Sequence, residues 1–111
     1  MKPNFNKEDY KYLKQDAKDD RVFVYTRKTL NGGLSVAFKA MHQGAEARMV
    51  AVAVSYCAPE DSYRKKTGKY NALLKFYEYN EYVQLPLATM LSYEGADSVG
   101  EYLLDVFQLG Y

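Results

Sequence analysis

Hydrophobic and polar positions follow two rhythms along this chain, and their order predicts the elements. Arg21 to Lys28 is rich in Val, Phe, Tyr and Thr, and Leu34, Val36, Phe38 and Ala40 alternate with small or polar residues, so both stretches read as strands. Asn31-Gly32-Gly33 between them tolerates positive φ and predicts a β-hairpin with a loop of three or more residues. A turn around His42 to Ala47 leads into a strand over Arg48 to Tyr56. Its run Met49 to Val54 is apolar at every position, which predicts burial on both faces and a central place in the sheet.

The helical rhythm appears three times. Asn6 can cap a helix over Lys7 to Lys18, with Glu8 and Asp9 in its first turn and a thin stripe of Tyr10, Leu13 and Ala17, as expected of a surface helix. Pro59-Glu60-Asp61-Ser62 has the chemistry of a helix start, and the central helix it opens is expected to run to Tyr79. Pro86 makes Tyr82 to Leu87 a short edge strand with Val83, Leu85 and Leu87 on one face. Ser98-x-x-Glu101 has capping-box spacing ahead of a stripe of Val99, Tyr102, Leu103 and Val106, and Gly110 is placed to end that helix. The order is α-β-β-β-α-β-α: an α+β fold with a three- to four-stranded antiparallel sheet and helices packed on it.

Composition narrows the picture. A chain of 111 residues, 48% apolar and 26% charged, suits one domain with one core, residues 1–6 being loose at its start. The longest apolar run, Met49 to Val54, is far short of the roughly 20 residues that span a bilayer, and Met1 to Asn6 has no apolar signal-type segment, so a cytoplasmic protein is expected. One cysteine, Cys57, excludes an internal disulfide; with one histidine, His42, it cannot complete a four-ligand thiolate and imidazole zinc site. There is no EF-hand loop, and no cofactor is implied.

The net charge of +1 hides an asymmetry. Residues 1–75 hold all 15 Lys and Arg against 8 acidic residues, a balance of +7, while Glu78, Glu81, Glu94, Asp97, Glu101 and Asp105 stand in residues 76–111 without a basic residue. The halves either form two surfaces of opposite sign or neutralise each other in the fold.

On a helical wheel, Tyr63, Thr67, Tyr70, Leu73, Leu74 and Tyr77 share one arc of the central helix, and Arg64, Lys65, Lys69 and Lys75 the other, with Gly68 among them. Lys66 and Phe76 do not fit that division. The basic arc reads either as a solvated face or as a surface for an anionic partner, whether nucleic-acid phosphate or acidic protein. Gly68 costs helix stability relative to Ala, and close approach of a ligand or of internal backbone explains it equally; its place on the basic arc favours the ligand.

The segment Cys57 to Ala72 resembles a pattern of small bacteriophage accessory proteins, Cys-Ser-Pro-x-Asp-x-Phe-x-Arg-Lys-x-Gly-Arg with Ala three residues later. Cys57, Pro59, Asp61, Lys66, Gly68 and Ala72 match it, while Ala58, Tyr63, Lys65 and Lys69 stand for Ser, Phe, Arg and Arg. The resemblance covers about a seventh of the chain. It implies a protein made early in infection that modulates a host factor or counters host defence in the host cytoplasm, and it brings no catalytic residues.

Cys57 precedes a helix N-terminus, which favours a thiolate, but a nucleophile needs a base, and His42 lies a strand's length away, roughly 30 Å if extended. No phosphate loop, dinucleotide fingerprint or hydrolase motif is present, so an enzyme is not expected. Twelve tyrosines without tryptophan are more informative, because tyrosine is enriched at protein interfaces and also stacks on bases. Tyr77, Tyr79, Tyr82 and Tyr93, with Glu78, Glu81 and Glu94, make an acidic, aromatic stretch suited to a basic protein partner. The sequence therefore leads to a non-enzymatic accessory protein that binds and modulates a host protein, through that stretch or the basic helix. The alternative is a nucleic-acid-binding protein using Arg64, Lys65, Lys66 and Lys69 with Tyr63 or Tyr70. Membrane association is not expected, and homo-oligomerisation is open.

Overall fold

In the computed structural model, which describes residues 5–30, 32–43, 46–57, 64–86 and 90–108, the elements follow the foreseen order. They are α1 (Lys7–Asp20), β1 (Phe23–Thr29), β2 (Gly32–Gln43), β3 (Glu46–Cys57), α2 (Lys65–Tyr77), β4 (Val83–Pro86) and α3 (Met90–Gln108). The strands form one antiparallel sheet in the order β1-β2-β3-β4. Among the described residues no helix is long and apolar enough to cross a membrane.

Helices cover both faces of the sheet, and among the described residues the buried apolar side chains form two clusters, one on each face. Period-2 alternation sends Leu34, Val36 and Phe38 of β2 and Val50 and Val52 of β3 to one side, where they meet Val99, Leu103 and Leu104 of α3. The other face presents Ala37 and Ala53, which lie under Ala72, Leu73 and Leu74 of α2, with Tyr10, Leu13 and Ala17 of α1 completing the layer. This split explains the uninterrupted apolar run of β3: Val50, Ala51, Val52 and Ala53 are all buried, alternately against one helical layer and the other.

The start of α1 follows its sequence signals, since Asn6 Oδ1 accepts from the Asp9 backbone N–H at 3.0 Å. Phe5, foreseen as loose, packs edge-on against the Tyr10 and Tyr70 rings. The β1–β2 hairpin is tighter than foreseen. Thr29 already pairs with Gly32, and Gly32 takes φ 123°, which suits glycine. Pairing of β2 with β3 continues to Gln43 and Glu46, past the turn expected at 42–47, with a register shift at Met41 and His42.

Two helix starts differ from expectation. Arg64 is extended (φ −136°, ψ 127°), so α2 begins at Lys65 and the start read over Pro59 to Ser62 does not run into it; residues 58–63 lie outside those described. In α3 the helix opens at Met90, which puts Ser98 and Glu101 in its interior, where neither caps. Glu101 instead faces Arg27 of β1. The inward stripe of α3 is accordingly Val99, Leu103 and Leu104, and Tyr102 and Val106 are exposed.

Candidate binding surfaces

Gly68 decides how the central helix sits. A β-carbon there would lie 2.3 Å from Ser35 Oγ and 3.4 Å from Thr26 Oγ1, so this side of α2 rests on β1 and β2. One turn later Ala72 is fully buried, and Lys75 reaches past the sheet edge to donate from Nζ to the Val54 carbonyl at 3.1 Å. The basic arc is thus corrected: Gly68 and Lys75 belong to the sheet-facing side, and Gly68 is explained by helix–sheet packing rather than a ligand. Gly68 and Ala72 are the small seats that let the helix down onto the strands.

What remains basic is the first turn. Arg64, Lys65 and Lys66 are exposed, Lys69 is half-buried, and Tyr63 lies outside the described residues. Tyr70 is not a free stacking platform: it is buried, and its hydroxyl donates to Asp9 Oδ2 at 2.8 Å. Burial and then that bond push its phenol up to about 12.

Lys66 meets α1 rather than the rest of α2. With Lys7, Lys11 and Lys14 it rims a cleft of about 750 Å³ whose apolar parts include Phe5 and Tyr10. Lys14 Nζ stands 4.6 Å from the centre of the Tyr10 ring, a cation–π contact. The α1 lysines were not singled out from the sequence, although their i, i+4, i+7 spacing was there to be read.

The Tyr/Glu stretch separates into buried and open members. Tyr77 is half-buried and donates to Asp20 Oδ2 at 2.8 Å, so it ties α2 to α1 and is not an open contact residue. Its phenol is raised well above the ordinary range by burial and by Asp20. Past it, the Tyr79 and Glu81 amides bond back to the Leu74 and Lys75 carbonyls, and Asn80 takes the left-handed region at φ 50°. That turn leaves Glu78, Tyr79, Glu81 and Tyr82 exposed, with the Tyr82 ring stacked on Phe76. Tyr93 and Glu94 fall within α3, but their side chains lie outside the described residues.

β4 pairs with β3 over Met49 to Val52, and past that pairing the Val54 carbonyl takes the Lys75 ammonium. A groove of about 440 Å³ opens there between Tyr56, Tyr82, Val83 and Phe107, with Glu81 and Lys75 at its rim. Tyr56 and Val83 are each about half exposed, at 46% and 52%. The apolar signals of Tyr56 and Phe107 were legible singly, but only the shortness of β4 brings them to a surface.

No family model, curated protein or solved structure matches this chain. The two surfaces therefore stand on their own chemistry. Cys57 and His42 are far apart in the sheet, since Cys57 pairs with Gly33 and His42 with Ala47 at the other end of the same hairpin. Among the described residues no three His, Cys, Asp or Glu residues gather as a metal site. The charge halves partly neutralise each other on the α3 face: Arg27 binds Glu101 at 2.5 Å and Asp105 at 2.6 Å, and Tyr25 donates to Asp97.

Proposed function

We propose that this chain is a non-enzymatic binding protein of the bacteriophage accessory kind, which modulates a host protein by docking on it through the groove at the C-terminal end of α2. The observation that carries this reading is the exposed set of Tyr56, Tyr82 and Val83 around the groove, with Glu78, Tyr79 and Glu81 beside it. Aromatic side chains held by a rigid turn supply contact area at little conformational cost, and the glutamates favour a basic partner while repelling phosphate. The resemblance of Cys57 to Ala72 to early bacteriophage proteins supports a host protein as that partner.

The test is capture from nuclease-treated bacterial lysate with tagged wild type and with Tyr79→Ala/Tyr82→Glu, followed by recombination of the captured protein, purified, with each form. A stoichiometric complex with wild type, weakened at least about tenfold by the variant, is the expected result. A complex indifferent to the variant, or material lost on nuclease treatment, would remove the groove as the site.

A further inference from the structure

We propose that the cleft between the first turns of α1 and α2 binds a nucleotide, either free or as a unit of single-stranded nucleic acid. It lies about 14 Å along α2 from the protein-docking groove, so the two sites stand or fall separately. The cleft's volume, about 750 Å³, is within the range of small-ligand pockets, roughly 300–1,000 Å³.

Charge comes first. Lys7, Lys11 and Lys14 stand on one face of α1 and Lys66 stands opposite, against a single Glu8, and none of these lysines has an ion pair among the described residues. Like charges at i, i+4 and i, i+3 repel along α1. The start of α2 is more unfavourable still: Arg64 makes no side-chain cap, no acidic residue occupies the first turn, and Arg64, Lys65 and Lys66 add positive charge to the positive end of the helix dipole. A bound polyanion is favoured by both arrangements. Lysine ammonium groups act on phosphate as point charges and need no fixed fork geometry.

Shape then separates a nucleotide from a bare anion. Phe5 is 38% exposed at the cleft and is held edge-on by Tyr10 and Tyr70, with ring centres 5.5 Å away in each case. A fixed, partly open ring beside clustered ammonium groups fits a base joined to phosphate, whereas inorganic phosphate or polyglutamate has no flat ring to place there.

Binding is measured with the full chain by anisotropy of a fluorescein-labelled oligothymidylate of about twelve nucleotides, and by calorimetry with ATP, each at low and moderate salt. Wild type is expected to bind at least one probe saturably. Lys11→Glu/Lys66→Glu, both on exposed positions, is expected to lose at least about tenfold in affinity and to flatten the salt dependence. Phe5→Ala is expected to lose about fivefold or more with the salt slope unchanged. Binding of ATP that displaces the strand assigns the site to the nucleotide unit; binding of the strand alone assigns it to nucleic acid, and either supports the proposal. Absence of saturable binding of both probes overturns it, as does affinity unaltered in the charge-reversed variant with an unchanged circular dichroism spectrum, or displacement of the strand by polyglutamate as effective as by ATP.

Discussion

Gly68 of α2 and Ser35 of β2 touch so closely that a β-carbon on the glycine would stand 2.3 Å from Ser35 Oγ. The serine cannot simply rotate away, because it is buried and donates to Thr26 Oγ1 at 2.8 Å. Gly68→Ala gains about 1 kcal/mol of helix propensity but must lift the helix or break that bond, so a net loss of about 1–2 kcal/mol is expected in urea unfolding. Introducing Ser35→Ala as well removes the obstructing oxygen. A double-mutant cycle should then show coupling of about 1 kcal/mol, and additive losses would mean that the glycine is not there for packing.

Gly100 does the same for α3 on the opposite face, and more severely. A β-carbon there would lie 2.5 Å from Tyr25 Cδ2, on a ring stacked against Phe38 and held at its hydroxyl by Asp97. With the ring stacked on one side and tethered at its hydroxyl, Gly100→Ala is expected to cost about 3 kcal/mol, more than Gly68→Ala. Equal or smaller losses would contradict the fixed position of Tyr25.

The order of elements was legible because each carried its own period: the α1 stripe of Tyr10, Leu13 and Ala17 and the β2 stripe of Leu34, Val36 and Phe38 are buried as read. The misreadings share a cause. Gly68 and Lys75 looked exposed because a wheel assigns one buried face, whereas α2 contacts the sheet on one flank and α1 on another, so nearly its whole circumference after the first turn is covered. Ser98 and Glu101 have capping spacing, yet local propensity yields to tertiary contact, and Glu101 serves Arg27. Both candidate surfaces combine residues distant in sequence, such as Phe5 with Lys66 and Tyr56 with Tyr82, and no single segment announces them.

Arg27 joins β1 to α3 through Glu101, Asp105 and Gln108. Its carboxylate partners are well exposed, at 64% and 69% of their side chains, so solvent screens the pairs and each is worth at most about 1 kcal/mol. Arg27→Ala is expected to cost about 1 kcal/mol in total, most of which disappears at about 1 M salt, where the screening length falls to about 3 Å. A salt-independent loss would point to packing of the arginine stem instead.

The tyrosines give the fold an alkaline limit. Burial and carboxylate partners push Tyr25 and Tyr70 up to about 12, and Tyr77 is raised in the same way, against an ordinary value of about 10. Above pH 10 the unfolded chain releases these protons before the folded one does, so unfolding becomes easier as pH rises. Their contribution is present in full below pH 10 and is expected to fade between about pH 10 and 12. Absorbance titration near 295 nm should show late phenols among the 12 tyrosines, and replacing Asp9 by Asn should advance the Tyr70 step.

The most direct test of the central claim is amide hydrogen exchange of the chain, free and in complex with the partner protein that the capture experiment is expected to yield. Protection concentrated at residues 78–86 and at the outer edge of β3, including Tyr56, is the expected result, with the first turns of α1 and α2 unchanged. Protection confined to those first turns, with residues 78–86 exchanging as in the free chain, would contradict the assignment of the aromatic groove as the protein-docking surface.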